Sequence, residues 1–287
     1  MGAIGFYIFY SINWVITLLP LRVLYLFSNF LFVLFYYFPG YRKKVVSENL
    51  NKAFPEKSQE ERSAICRGFY RHFCDLIVEI LKLTHMSNKQ LSRRMVCKNP
   101  EVIGRLYKEG RDAVVIFSHY CNWEWMKIVP HYTEHLTVPV YKPLNNKYFD
   151  KFMYSLRAGN NCYPIAMSNI LREILKNLRE NRRTLYGLIS DQTPAKAEIR
   201  YRTTFLNQDT PVFLGAEKIA VKYNMPVVYM NTQKVRKGYY SFSFDILFEN
   251  PNGLPEYQIT ETHVKKLEEI IRAKPEYWLW THRRWKY

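Results

Sequence analysis

His119 and Glu124 stand with four residues between them in Val114-Val115-Ile116-Phe117-Ser118-His119-Tyr120-Cys121-Asn122-Trp123-Glu124-Trp125. An imidazole held by a carboxylate on one ring nitrogen can take a proton through the other from an alcohol as that alcohol attacks an acyl carbonyl. The pair therefore predicts activation of a hydroxyl, with no protein nucleophile needed. The β-branched run before Ser118 predicts a buried parallel strand, and Asn122 predicts the cap of a helix with Glu124 in its first turn. His119 then lies at a strand's carboxyl end, where open α/β sheets carry their chemistry. Taken alone, the spacing equally describes a His capping a helix beside a solvated Glu. The remainder of the chain decides between the two.

His119-Tyr120-Cys121-Asn122-Trp123-Glu124 resembles the H-x4-D/E signature of glycerolipid-type acyltransferases, in the H-x-x-N-W-E form of the lauroyl/myristoyl transferases, the late acyltransferases of lipid A biosynthesis. Four more blocks agree in order: Asn49-Leu50 with Ala53-Phe54-Pro55-Glu56, Val140-Tyr141-Lys142-Pro143, Ser190-Asp191-Gln192, and Trp280-Thr281-His282-Arg283-Arg284-Trp285-Lys286. The resemblance spans nearly the whole chain. It implies transfer of a fatty acyl group from an acyl thioester, with acyl carrier protein as donor, to a hydroxyl of a phosphorylated glycolipid such as a lipid A precursor. The expected place is the cytoplasmic side of a bacterial inner membrane. In this scheme His119 is the general base, Glu124 orients it and stabilises the imidazolium, and neither metal nor organic cofactor is required. The same chemistry on an aminolipid, a phosphatidylinositol mannoside or a lysophospholipid is the nearest alternative; a non-catalytic basic membrane-binding protein is a more distant one.

The elements that must position these residues follow from periodicity. Ser58-Gln59-Glu60-Glu61 predicts a capping box opening an amphipathic helix through Leu81. Strands are expected at 138–141, 184–189, 227–230 and 240–247, and helices at 169–178, from Thr210-Pro211 to Tyr223, and at 260–272. Such alternation predicts an α/β fold, a mixed sheet flanked by helices. Residues 1–40 contain a single charged side chain, Arg22, and their apolar runs predict a membrane-anchoring segment: one spanning helix from Ala3 to Leu19, then a partly embedded helix from Val23 to Phe38. Arg42-Lys43-Lys44 would keep the rest of the chain on the cytoplasmic side, leaving residues 41–287 as one catalytic domain.

The formal charge of +17 falls almost wholly after position 40 and calls for anionic partners: bilayer headgroups, a phosphorylated lipid, an acidic carrier. Nucleic acid is not expected, since no zinc-finger, RNP-like or helix-turn-helix pattern accompanies the charge. Five cysteines without a C-x-x-C pair suggest reduced thiols, and Cys121 reads as a packing residue. His131-Tyr132-Thr133-Glu134-His135 fits a zinc-peptidase template, but Pro130 breaks the helix it needs, so no metal site is assigned. Lys142, Arg157, Asp191 and Arg202 are the expected substrate contacts. Lys142 replaces the family's usual Arg and offers a point charge in place of a fork. Arg157 follows that block where the family has a binding arginine, and is otherwise an ordinary surface residue. Asp191 either positions the loop or an acceptor polar group, or only caps its turn. Arg202 belongs with Lys196 and Arg200 to a basic loop. Trp278, Trp280 and Trp285 suit either a membrane interface or helix packing.

Overall fold

A computed structural model describes residues 2–38 and 40–287. The chain opens with α1 (Ala3–Ile16), α2 (Leu21–Tyr37), α3 (Lys43–Ala53), α4 (Gln59–Lys82) and α5 (Asn88–Ser92), followed by β1 (Met95–Cys97), α6 (Pro100–Lys108) and β2 (Ala113–Phe117). A 3₁₀ segment, Trp123–His131, leads to β3 (Leu136–Tyr141), α7 (Lys147–Arg157), β4 (Ile165–Ala166), α8 (Ile170–Arg179) and β5 (Thr184–Ile189). A hairpin of β6 (Arg202–Phe205) and β7 (Gln208–Pro211) precedes α9 (Gly215–Tyr223), β8 (Val227–Arg236), β9 (Tyr239–Phe248) and α10 (Gln258–Ala273).

The main sheet has seven strands in the order β1-β9-β8-β2-β5-β3-β4, parallel except for the antiparallel pair β8–β9. This is the expected mixed α/β sheet. Its centre is β2, fully buried along Ala113-Val114-Val115-Ile116-Phe117, because helices cover both faces and β-branched residues pack well on a pleated surface. Register does the positioning. Phe117 pairs with Ile189, so residues 119 and 191, two places beyond, leave adjacent strands at the same edge; Val140 pairs with Leu188 and brings Lys142 to that edge as well. Ser58 caps α4 by accepting from the Glu61 N–H while Glu61 accepts in return from the Ser58 N–H, a box worth about 1 kcal/mol.

Two expectations are corrected. Thr210-Pro211 does not start a helix. Leu206 and Asn207 both take positive φ, the two-residue turn that joins β6 to β7, so Thr210 and Pro211 are strand residues and the helix begins only at Gly215. Nor does a spanning helix form at the N-terminus: no helix among the described residues is long and apolar enough to cross a membrane. Helix α1 stops after 14 residues, about 21 Å at 1.5 Å per residue, against a hydrocarbon core of about 30 Å. Pro20 then turns the chain into α2.

Both N-terminal helices are fastened to the rest of the molecule. Phe6 and Phe9 pack on Phe149 of α7, with ring centroids 5.2 and 5.0 Å apart. Lys82 donates to the Thr17 carbonyl at 2.6 Å, and Ser28 donates to Asp75 at 2.5 Å. Gly238, with φ +69°, makes the turn between β8 and β9 and admits α2 closely; a Cβ there would lie 2.2 Å from the Tyr25 hydroxyl.

Candidate active site

His119 leaves β2 half-buried, and its partner is Asp191. Nδ1 lies 2.7 Å from Asp191 Oδ1, and the His119 backbone N–H donates to Oδ2 at 3.0 Å. Trp278 Nε1 donates to the same Oδ2 at 2.8 Å. Asp191 is buried. Burial pushes its carboxyl up, but the charge and hydrogen bonds of His119 and the Trp278 donor outweigh that and hold it below the ordinary carboxylate value. A carboxylate fixed on Nδ1 selects the tautomer with Nε2 free to accept a proton. The Gln192 amide nitrogen lies 3.3 Å from Nε2.

Glu124 does not hold His119, which corrects the sequence expectation. It is buried against Arg157, whose Nε and Nη2 donate to its two oxygens at 2.8 and 2.6 Å. Burial alone would lower the Arg157 pKa, yet the bonds to Glu124 raise it, so the fork stays charged. Trp123 joins the two arrangements: its ring meets the His119 imidazole edge-on at 5.0 Å, and its Nε1 donates to Glu124 at 3.2 Å. Arg157 also lies 5.7 Å from the Tyr141 ring centroid, which brings the Tyr141-Lys142-Pro143 turn alongside; Lys142 itself is exposed.

The loop between His119 and Glu124 is built for position. Cys121 takes φ +54° and is wholly buried, and burial pushes its thiol far above the range of a nucleophile. Asn122 caps the 3₁₀ segment through the Trp125 N–H, as expected, and its amide nitrogen donates to Glu79 at 2.8 Å. Glu79 is a fully buried carboxyl in α4 that also accepts from Tyr25 of α2 and Tyr240 of β9, both at 2.7 Å. Burial raises its pKa against the pull of those donors. The only sequence signal for it was a lone Glu inside the apolar stretch Leu76-Ile77-Val78-Glu79-Ile80-Leu81.

The segment after α10 closes the site. Cys121 N–H donates to the Tyr277 carbonyl at 3.0 Å and Leu279 N–H to the His119 carbonyl at 3.1 Å. Asn49 of α3 fastens this segment by donating to the carbonyls of Trp280 and His282, both at 2.9 Å. Trp278 and Trp280 are buried and Trp285 is partly covered, with each indole N–H bonded inside the protein, so Trp278 and Trp280 serve packing.

A model of the bacterial lipid A biosynthesis acyltransferases matches residues 2–287. The chain belongs to that family. A lipid A biosynthesis palmitoleoyltransferase of Escherichia coli (strain K12) is 22% identical over 247 residues, covering 85% of this chain and 79% of that protein. A lipid A biosynthesis acyltransferase of Shigella flexneri matches to the same extent. In this chain the five blocks, far apart in sequence, meet around one loop. The Asp-Gln block holds the His119 ring, the Asn49 block and the terminal Trp-His-Arg block hold each other, and the Tyr-Lys-Pro block borders Arg157. Arg202 is the exception. It pairs with Asp209 across the β6–β7 hairpin at 2.6 Å, and none of its hydrogen bonds reaches the residues around His119.

Proposed function

We propose that this protein moves a fatty acyl chain from an acyl thioester, with acyl carrier protein as the donor, to a hydroxyl of a phosphorylated lipid A precursor at the cytoplasmic surface of a bacterial inner membrane. The observation that carries the reading is the His119–Asp191 contact, which leaves Nε2 as the proton acceptor. Nε2 takes the acceptor's hydroxyl proton as its oxygen attacks the thioester carbonyl carbon. The imidazolium, stabilised by Asp191, returns that proton to the departing thiolate as the carbon–sulfur bond breaks. Glu124 aims Arg157, whose guanidinium N–H groups not spent on Glu124 receive the developing oxyanion or an acceptor phosphate. Lys142, on the rim beside Tyr141, serves the same anionic substrate.

The membrane reading is interfacial. Helices α1 and α2 leave Ile4, Ile8, Leu26 and Phe30 more than half exposed, apolar surface that suits the headgroup boundary of a bilayer on helices too short to span it. The excess of basic residues suits an acidic leaflet and the acidic carrier protein alike. Acyl transfer from a labelled acyl carrier protein to a lipid A precursor, measured on purified protein with phospholipid vesicles, tests the proposal. Folded His119→Ala is expected to lose about 10²-fold to 10⁴-fold; near-normal turnover in that variant rejects the mechanism.

A further inference from the structure

The end of β8 and the turn into β9 face α2 and α4 across an open cleft of about 560 Å³. Arg71, Lys234, Arg236 and Lys237 line it against one carboxylate, Asp75, which leaves three positive charges uncompensated. Asp75 is already engaged: Ser28 donates to it at 2.5 Å, Lys237 lies 2.8 Å away, and Lys234 lies 3.9 Å away. Arg71 and Arg236 have no ion pair among the described residues. Their guanidinium groups sit over aromatic rings instead, Arg71 5.3 Å from Phe32 and Arg236 4.0 Å from Tyr239. Two guanidinium forks without a protein acid are chemistry for a phosphate from outside the chain.

The opposite wall says what carries that phosphate. Phe32 and Val33 of α2 form it, and the same helix goes on to present Phe30 and Leu34 to the outside. A cationic floor running into an exposed apolar wall matches a ligand with an anionic head and a hydrocarbon tail; a nucleotide would use only the floor. We propose that this cleft binds the phosphate of an anionic phospholipid, with its acyl chains lying along the outer face of α2. The site is separate from the catalytic one, since His119, Asp191, Glu124 and Arg157 do not line it. Tyr277 does, and its carbonyl holds the Cys121 N–H of the catalytic loop. A bound lipid therefore fixes the height of that loop over the bilayer.

The inference rests on the membrane-surface reading above only for the source of the phosphate, so the cleft is tested without a bilayer. Binding of monomeric dihexanoyl phosphatidylglycerol to the intact protein is measured by calorimetry, with dihexanoyl phosphatidylcholine and glycerol 3-phosphate as comparison ligands. Arg71→Ala/Arg236→Ala, both exposed, is expected to weaken phosphatidylglycerol about 30-fold, some fivefold for each lost cation. Lys218→Ala/Lys222→Ala on α9 removes equal charge elsewhere and should bind as the wild type does. The proposal is overturned if the two pairs weaken binding equally, if the wild type does not prefer phosphatidylglycerol over phosphatidylcholine, or if glycerol 3-phosphate binds as tightly as the lipid. Acyl transfer in detergent should survive Arg71→Ala/Arg236→Ala; absence of transfer in the wild type would count against the proposed function and leave the lipid site standing.

Discussion

Replacing Asp191 by Asn tests the central pairing more sharply than deletion does, because shape is kept and only the placing of hydrogens changes. Oδ2 accepts from two donors with fixed positions, the His119 backbone N–H and the Trp278 indole. The Asn oxygen must therefore take that place, which turns its NH₂ toward Nδ1. Nδ1 is then forced to accept, the proton moves to Nε2, and the base is lost. Turning the amide round instead would leave two buried donors facing an NH₂, at about 1–3 kcal/mol each. At about 1.4 kcal/mol per tenfold in rate, even that escape costs roughly 30-fold to 10⁴-fold. Asp191→Asn is expected to lose about 10³-fold to 10⁴-fold in kcat with little change in KM, read by acyl transfer under saturating donor. Glu124→Gln should lose about tenfold or less, since its remaining oxygen still meets Arg157. His119→Ala/Asp191→Ala should be little worse than His119→Ala, while His119→Ala/Glu124→Ala should show nearly multiplied losses. The reasoning fails if Asp191→Asn is near normal, or if Glu124 and not Asp191 is silent once His119 is gone.

The same contacts set other outcomes. Arg157→Met leaves the Glu124 carboxylate buried and unpaired and should lower stability in urea by about 3 kcal/mol, with most of it recovered in Glu124→Gln/Arg157→Met. Asn49→Ala removes two bonds to the closing segment and should cost about 2 kcal/mol together with a fall in kcat, seen in melts and turnover. His263, buried in α10, has its pKa pushed down to about 4 by burial. The unfolded chain binds its proton first, so this contribution to stability, present above pH 6.5, is lost as pH falls toward 4, by about 3 kcal/mol at most; urea titrations of His263→Asn should show a correspondingly flatter acid limb. Leu26→Ser/Phe30→Ser should leave the melting temperature nearly unchanged and reduce flotation with vesicles several-fold, because both side chains are exposed in the free protein.

Much of the site was legible in the chain because it is local. The strand before His119, the cap at Asn122 and the box at Ser58 each declare themselves within a few residues. The pairing of His119 was not, because Asp191 lies 72 positions further along the chain and only the adjacency of β2 and β5 brings them together. A carboxylate five residues on competes with that in sequence, and nothing local says that Arg157 claims it. The N-terminus misled for a different reason: hydropathy counts apolar residues and is blind to Pro20 as a break and to Asn13, Thr17 and Ser28 as anchors to the body of the protein. The β6–β7 hairpin was hidden because Leu206 is not a residue whose left-handed conformation can be anticipated.

The closing segment also bears on how the enzyme comes into being. Residues 275–285 leave the ribosome after β2, β5 and both members of the His119–Asp191 pair, yet they supply the Trp278 donor and the backbone bonds that hold the catalytic loop. A nascent chain that holds both His119 and Asp191 thus lacks an assembled site until its synthesis has run past Trp285. A message truncated after Ala273 would yield a protein with every catalytic side chain in its sequence and no assembled site, so the reaction is licensed by translation through these late residues.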